Sequence, residues 1–198
     1  MAQHPVSSGR RLTPLRPEQL DVEQRRVYEA ITAGPRATGP RYFSLTDDAG
    51  RLQGPFDAML RSAPVGFALQ QLGSELRYGT ELPARLREIV ILAVAAAEDS
   101  AFERYAHEAV GRGVGLSDRE LDAIREGVEL ASGDPVEAVA LRAARMLASA
   151  GDLDDETFTS LIGAIGERQS FELTTLVGYY KLLALQLRVF RIPLPEGL

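Results

Sequence analysis

The chain contains no cysteine among its 198 residues. Disulfides, thiolate nucleophiles, cysteine-ligated zinc and dithiol peroxide chemistry are therefore excluded together. Long apolar runs are also missing. The longest, 89–97, has nine residues, about half of the ~20 that span a membrane, and it reads as a buried helix. Basic residues are outnumbered, 22 against 28 acidic, for a net charge of −6. That balance disfavours nucleic acid, which needs a concentrated basic surface. An anionic small substrate would need a local arginine working against the overall field. Residues 1–16 are polar and carry Pro, Ser and Arg without the apolar stretch of a signal peptide. They are expected to be a disordered arm, and residues 17–198 one domain with a substantial core. Hydrophobic residues are 45% and charged residues 25% of the chain, as in soluble globular proteins. A cytoplasmic protein with neither nucleic-acid nor membrane partners is the expectation.

Strand-like alternation is absent, and helical spacing takes its place. Leu20, Gln24, Val27 and Ile31 recur on one face behind Pro17, and Gly34-Pro35 stops that helix. The segment 34–55, rich in Gly, Pro and Asp, reads as a long loop, either a surface wrap or a cover over a site. Its Tyr42 and Phe43 are expected to dock on the body of the domain. Further helices are predicted over 55–61, 64–78, 83–98 and 101–111. Ser117 to Glu120 has the form of a capping box, Asp134-Pro135 opens another helix, and 152–156 is an acidic helix start. Ser170 is expected to cap a last helix running to Phe190. That helix is apolar on more than one face, which suits a core or a subunit interface and predicts a homo-oligomer.

Ser100, Glu103 and His107 are spaced three and four apart, one stripe on a helix face. Glu88 lies on the preceding helix, two to three turns back from the connection. A carboxylate beside an imidazole is an acid–base pair, because imidazole changes charge near neutral pH. Such a pair is also common on solvated surfaces. Two features favour a site here. The only other histidine, His4, is in the N-terminal arm, and His107 follows the most hydrophobic helix. His107, Glu103 and Glu88 are thus the candidate catalytic residues. Arg85, three residues before Glu88, is preferred to Arg87 for holding an anionic group. Ser100 and Tyr105 are candidate substrate contacts. Tyr78, Tyr179 and Tyr180 also carry phenols, with core packing their default role. No H-E-x-x-H or histidine-rich pattern is present, so no metal and no cofactor are expected.

Several phrases in order resemble the carboxymuconolactone decarboxylase/AhpD-like family. They are Gly54-Pro55-Phe56, Leu76-Arg77-Tyr78-Gly79, Leu82-Pro83 with Arg85-Leu86-Arg87-Glu88, Phe102-Glu103 with Tyr105-Ala106-His107-Glu108, and Gly115-Leu116-Ser117-Asp118. Glu172-Leu173 and Val177-Gly178-Tyr179-Tyr180 resemble its last helix. In the family's thiol peroxidases a Glu precedes a Cys-x-x-Cys-x-x-x-His run. Glu88 and His107 match the Glu and His, while Ser100 and Glu103 stand at the cysteine positions. The resemblance is therefore to the cysteine-free, decarboxylase-like branch. It implies an all-α, AhpD-like helical bundle, assembled as a trimer or hexamer, with a site around Glu88 and His107. It also implies a cofactor-independent lyase or isomerase acting on a small lactone- or carbonyl-containing acid. Alternatives on the same scaffold are a dehydratase or cyclase in a biosynthetic pathway, and a non-catalytic oligomeric binding protein. Many relatives carry Trp after the Glu of the His helix, where this chain has Arg104.

Overall fold

A computed structural model describes residues 9–38, 42–130 and 133–195. In chain order a 3-10 turn, Pro17–Gln19, leads into α1 (Val22–Thr32), α2 (Pro35–Thr38), α3 (Pro55–Met59), α4 (Ala63–Tyr78) and α5 (Ala84–Ala97). Then follow α6 (Ala101–Gly113), α7 (Asp118–Glu126), α8 (Pro135–Ser149) and α9 (Asp155–Val189). The described residues hold no strand, only an isolated bridge between Thr46 and Leu52. The protein is all-α.

Helix starts follow their capping chemistry. Asp21 and Gln24 form a reciprocal box before α1, and Ser117 and Glu120 do the same before α7. Asp134 and Asp154 accept from the first free N–H groups of α8 and α9. Helix α5 is the axis of the fold. Ile89, Val90, Ile91 and Val94 have no exposed surface, because α6, α7, α8 and α9 all pack against α5. A helix apolar all round can be stable only at such a centre. The connection to α6 is tight. Asp99 takes a left-handed φ of 47° there, a conformation that Asp tolerates better than most residues. Arg188 of α9 pins the turn, donating to the Glu98 carbonyl and, at 2.8 Å, to its carboxylate. Helices α5 and α6 are thereby folded back on each other.

Three features depart from the sequence expectation. First, Ser170 does not begin a helix. It lies inside α9, and its hydroxyl donates to the Gly166 carbonyl at 2.7 Å. The break falls at Gly166, φ 75° and ψ 170°, a backbone state that suits glycine. Second, residues 9–16 are held in place. Asp57 of α3 has no exposed surface, and a buried carboxylate requires partners. It accepts from Arg10 at 2.7 Å, Arg61 at 3.2 Å and the Leu15 amide at 3.1 Å. Arg11 donates its amide to the Phe190 carbonyl. The polar residues that suggested disorder are the ones that satisfy Asp57. Residues 1–8 of that arm lie outside the described residues. Third, the segment 34–55 contains α2 and the Thr46–Leu52 bridge, and it does dock. Phe43 meets Phe102 edge-on at 6.5 Å, and Tyr42 packs over Gly113, where any Cβ would strike its hydroxyl.

Beyond the Gly166 break, exposed large apolar side chains on α9 fall at Phe171, Leu182, Leu185 and Val189. With Thr175 and the exposed Gly178 between them, the spacing alternates four and three, as in a helix–helix seam. Light scattering at micromolar concentration is expected to give a multiple of the 21.5 kDa chain mass. Leu182→Asp with Leu185→Asp should lower it. A monomer mass for the wild-type protein would contradict the expectation.

Candidate active site

The α5–α6 hairpin brings Glu88 and His107 together. Their closest atoms, Oε2 and Nδ1, are 2.6 Å apart, and both side chains are buried. Behind Glu88 stands Arg77 of α4, 3.9 Å from its second oxygen. The imidazole Nε2 is turned the other way, 3.5 Å from Glu103 Oε2, a separation too long for a good hydrogen bond. Glu103 is as buried as His107, and its Oε1 has no hydrogen-bond partner among the described residues. One imidazole thus sits between two carboxyl groups, bonded to one and merely facing the other.

Helix α9 completes the wall. Tyr180 presents its ring to His107 edge-on at 5.0 Å, and Tyr179 packs on Tyr180 at 5.4 Å. Arg77 and Arg36 lie on the same side of the cavity as the two phenols and act on them electrostatically. These groups enclose a cavity of about 280 Å³. His107 and Glu103 line it, with Arg36, Arg77, Tyr179 and Tyr180, and residues 42–46 form part of its wall. The segment 34–55 therefore covers the site. Glu88 stays behind His107, outside the lining.

The two carboxyl groups are driven in opposite directions. Burial alone would raise Glu88, but His107, Arg77 and Arg87 outweigh it and hold the carboxyl below the ordinary range. Glu103 is pushed up by burial, which His107 and Arg77 only partly offset. Glu88 is the ionised member and Glu103 the one that favours its proton. With Glu88 ionised, Nδ1 donates to it, so a neutral His107 keeps its lone pair on Nε2. Burial also keeps the phenols protonated. It pushes Tyr179 up to about 12 and Tyr180 higher still. The Arg77 cation is opposed by burial, but Tyr180 and Glu88 more than compensate.

The other sequence candidates are placed elsewhere. Arg85 does not line the cavity. It clamps α5 to α7 and α8, donating to Glu137 at 2.7 Å, Glu120 at 2.5 Å and the Gly115 carbonyl. Its charge is matched by internal carboxylates, which removes it as an anion holder. Ser100 sits at the N-cap of α6 with its hydroxyl buried, unpartnered and outside the cavity. Tyr105 packs edge-on against Phe102 at 6.3 Å and is also outside it. Arg104, at the position of the relatives' Trp, is no pocket wall either. Among the described residues, the cations that reach the cavity are Arg77 and Arg36. Arg77 lay within the Leu76-to-Gly79 phrase already noted. Nothing in the Gly/Pro-rich context of Arg36 signalled it.

Comparison with known proteins agrees with this fold. Residues 64–146 match the carboxymuconolactone decarboxylase family. The fold is also that of the alkylhydroperoxidase AhpD core in an uncharacterised peroxidase-related protein from Ralstonia eutropha. The TM-score is 0.73 and the identity 14%, over 98% of this chain and 94% of that one. A similar protein from Silicibacter sp. gives a TM-score of 0.71 at 13% identity, covering 98% and 96% of the two chains. The debrominase Bmp8, in a cysteine-to-alanine variant bound to 2,3,4-tribromopyrrole, gives 0.71 at 14% identity, covering 96% and 94%. No curated protein sequence matches the chain. The family match covers residues 64–146, and the shared fold extends the likeness over nearly the whole chain.

The charge assignment has a consequence for stability. Because folding raises Glu103, the unfolded chain loses that proton first, and stability falls as pH climbs from about 4.3, the ordinary glutamate value, through the raised one. Glu103→Gln should remove that decline and melt at least as high as wild type at pH 8. Folding lowers Glu88, so its contribution is present at neutral pH and is lost as pH falls through the lowered value. Glu88→Gln should cost about 1–3 kcal/mol at pH 7, the range for an uncompensated buried polar partner. Thermal and urea melts from pH 5 to 8 check both. A Glu103→Gln variant less stable than wild type at pH 8 would contradict the assignment.

Proposed function

We propose that this protein is a cofactor-independent acid–base enzyme, a decarboxylase-like lyase or isomerase acting on a small carbonyl- or lactone-containing compound. The observation that carries the proposal is one buried imidazole between two buried carboxyl groups, with His107 and Glu103 lining a cavity and Glu88 behind them. Two titratable groups driven apart by their surroundings mark a division into base and acid. In this reading His107 Nε2 is the base, oriented by the ionised Glu88, and Glu103 is the acid. Substrate carbonyl oxygen faces Arg77 and the phenols, which stabilise the charge it gains.

Decarboxylation would use the groups as follows. The bond between the carboxyl carbon and its neighbour breaks, and CO₂ departs. The electron pair left behind moves into the conjugated carbonyl as an enolate. Glu103 delivers a proton to carbon, and a proton from solvent, taken up at His107 Nε2 and passed on, restores it. Isomerisation differs only in its first step, where Nε2 removes a proton from carbon. Dehydration and ring closure would draw on the same base and acid. The small aromatic compound held by a neighbour of the same fold supports a small-molecule ligand. Dithiol-coupled peroxide reduction is not part of the proposal, since no thiolate is available. No helix among the described residues is long and apolar enough to cross a membrane, and we place the enzyme in the cytoplasm.

The test is a panel of small lactones and carbonyl acids, scored for CO₂ release and for deuterium uptake from solvent. On any substrate turned over, His107→Ala should lose about 10²-fold or more in kcat while remaining folded, the scale of positioned acid–base catalysis. Glu103→Gln should lose product protonation more than substrate binding. Turnover by His107→Ala equal to wild type would refute the assignment. Absence of any turnover, with ligands still binding, would favour the binding-protein alternative. Peroxide turnover coupled to a dithiol above a boiled control would contradict the exclusion of thiol chemistry.

A further inference from the structure

Arg36 enters the cavity from α2, outside the family-matched segment 64–146. It is positioned with care. One nitrogen donates to the Gln70 side chain at 2.8 Å and another to the Gln70 carbonyl at 3.3 Å. Its guanidinium lies over the Phe56 ring at 5.5 Å and acts electrostatically on the Tyr179 phenol. The α4 face that receives it carries Gln70, Gly73 and Arg77, spaced three and four apart. Gly73 makes the room. A Cβ there would stand 2.1 Å from the Tyr179 hydroxyl and 2.8 Å from an Arg36 nitrogen.

The charges on this side of the cavity do not balance. Arg36 makes no salt bridge with the described residues, and its hydrogen-bond partners are the side-chain amide and the backbone carbonyl of Gln70. Burial works against its charge, and Arg77 is close enough to work against it too. The carboxylate nearest Arg77 is Glu88, at 3.9 Å, and it is already engaged by His107. Two guanidinium groups thus share one cavity, in a protein of net charge −6, and among the described residues the one acid lining it, Glu103, is driven toward its neutral form. A guanidinium held by neutral acceptors keeps donors for a planar oxyanion, and two together match the two oxygens of a carboxylate.

We propose that Arg36 and Arg77 together bind a carboxylate of the ligand at the Tyr179 side of the cavity, with Arg36 the residue that selects acids over neutral analogues. This rests on the acid–base reading of the site for its meaning, but its binding claim stands apart from catalysis. The ligand is a small monocarboxylic or dicarboxylic acid whose far end reaches His107 and Glu103.

Calorimetric titration of the full-length protein with benzoate and sorbate, against their methyl esters and inorganic phosphate, tests it. The acids should bind at least tenfold more tightly than the esters and than phosphate. Arg36→Gln should abolish that preference, and Arg36→Lys should keep part of it. Circular dichroism establishes that the variants are folded. Gln70→Met, which leaves Arg36 in place but frees its guanidinium, should weaken acid binding without disturbing ester binding. Calorimetry reads binding without turnover, so a failed catalytic assignment stays distinguishable from a failed binding one. Equal affinity for acids and esters, equal affinity for phosphate, no acid binding to wild type at millimolar concentration, or an unchanged preference in Arg36→Gln would each overturn the proposal.

Discussion

The rest of the site depends on a single buried contact, the 2.6 Å approach of Glu88 to His107. A carboxylate in an apolar bundle is costly unless it is paired and hydrogen-bonded. Here it is paired twice, to the imidazole directly and to Arg77 across 3.9 Å. The cost is met by placing three charged or ionisable groups from α4, α5 and α6 at one point. That point is where the α5–α6 hairpin meets the Tyr180 ring of α9. Once Glu88 holds Nδ1, the other imidazole nitrogen must face Glu103. Glu103 has no such partners and is driven toward its neutral form by the same burial.

This arrangement explains how a scaffold without cysteine can retain a reactive centre. The two positions that would carry thiols hold Ser100 and Glu103, and their fates differ. Ser100 is buried at the helix cap, away from the cavity. Glu103, one turn along α6, opens onto the cavity beside the imidazole. A proton-bearing group thus occupies the place a thiol would take, and proton transfer replaces thiol chemistry in our proposal. The ionised and neutral carboxyls need no metal to differ, because burial and the nearby arginines separate them.

Much of the fold could be read from the sequence because it rests on local signals. The capping boxes at Asp21 and Ser117, the prolines opening helices and the apolar run of α5 each act within a few residues. The stripe of Glu103 and His107 was legible for the same reason, since the two are neighbours on one helix. What failed was non-local. Arg85 looked free because Glu120 and Glu137, which consume its charge, are 35 and 52 residues away. Residues 9–16 looked disordered because Asp57, which holds them, lies on another helix. Arg36 gave no sign, because its role comes only from tertiary packing on Gln70 and Phe56. The start of the last helix was misplaced by a local competition, in which Gly166 breaks the chain four residues before the serine that looked like a cap.

The central claim is that one imidazole stands between two carboxyl groups driven in opposite directions, Glu88 downward and Glu103 upward. Difference infrared spectroscopy on the substrate-free protein, followed across pH, addresses it directly. The carbonyl stretch of a protonated, buried carboxylic acid should persist to higher pH than an ordinary glutamate allows. That band should vanish in Glu103→Gln and persist in Glu88→Gln. Loss of every protonated carboxyl within the ordinary glutamate range, or a band removed by Glu88→Gln and kept in Glu103→Gln, would contradict it.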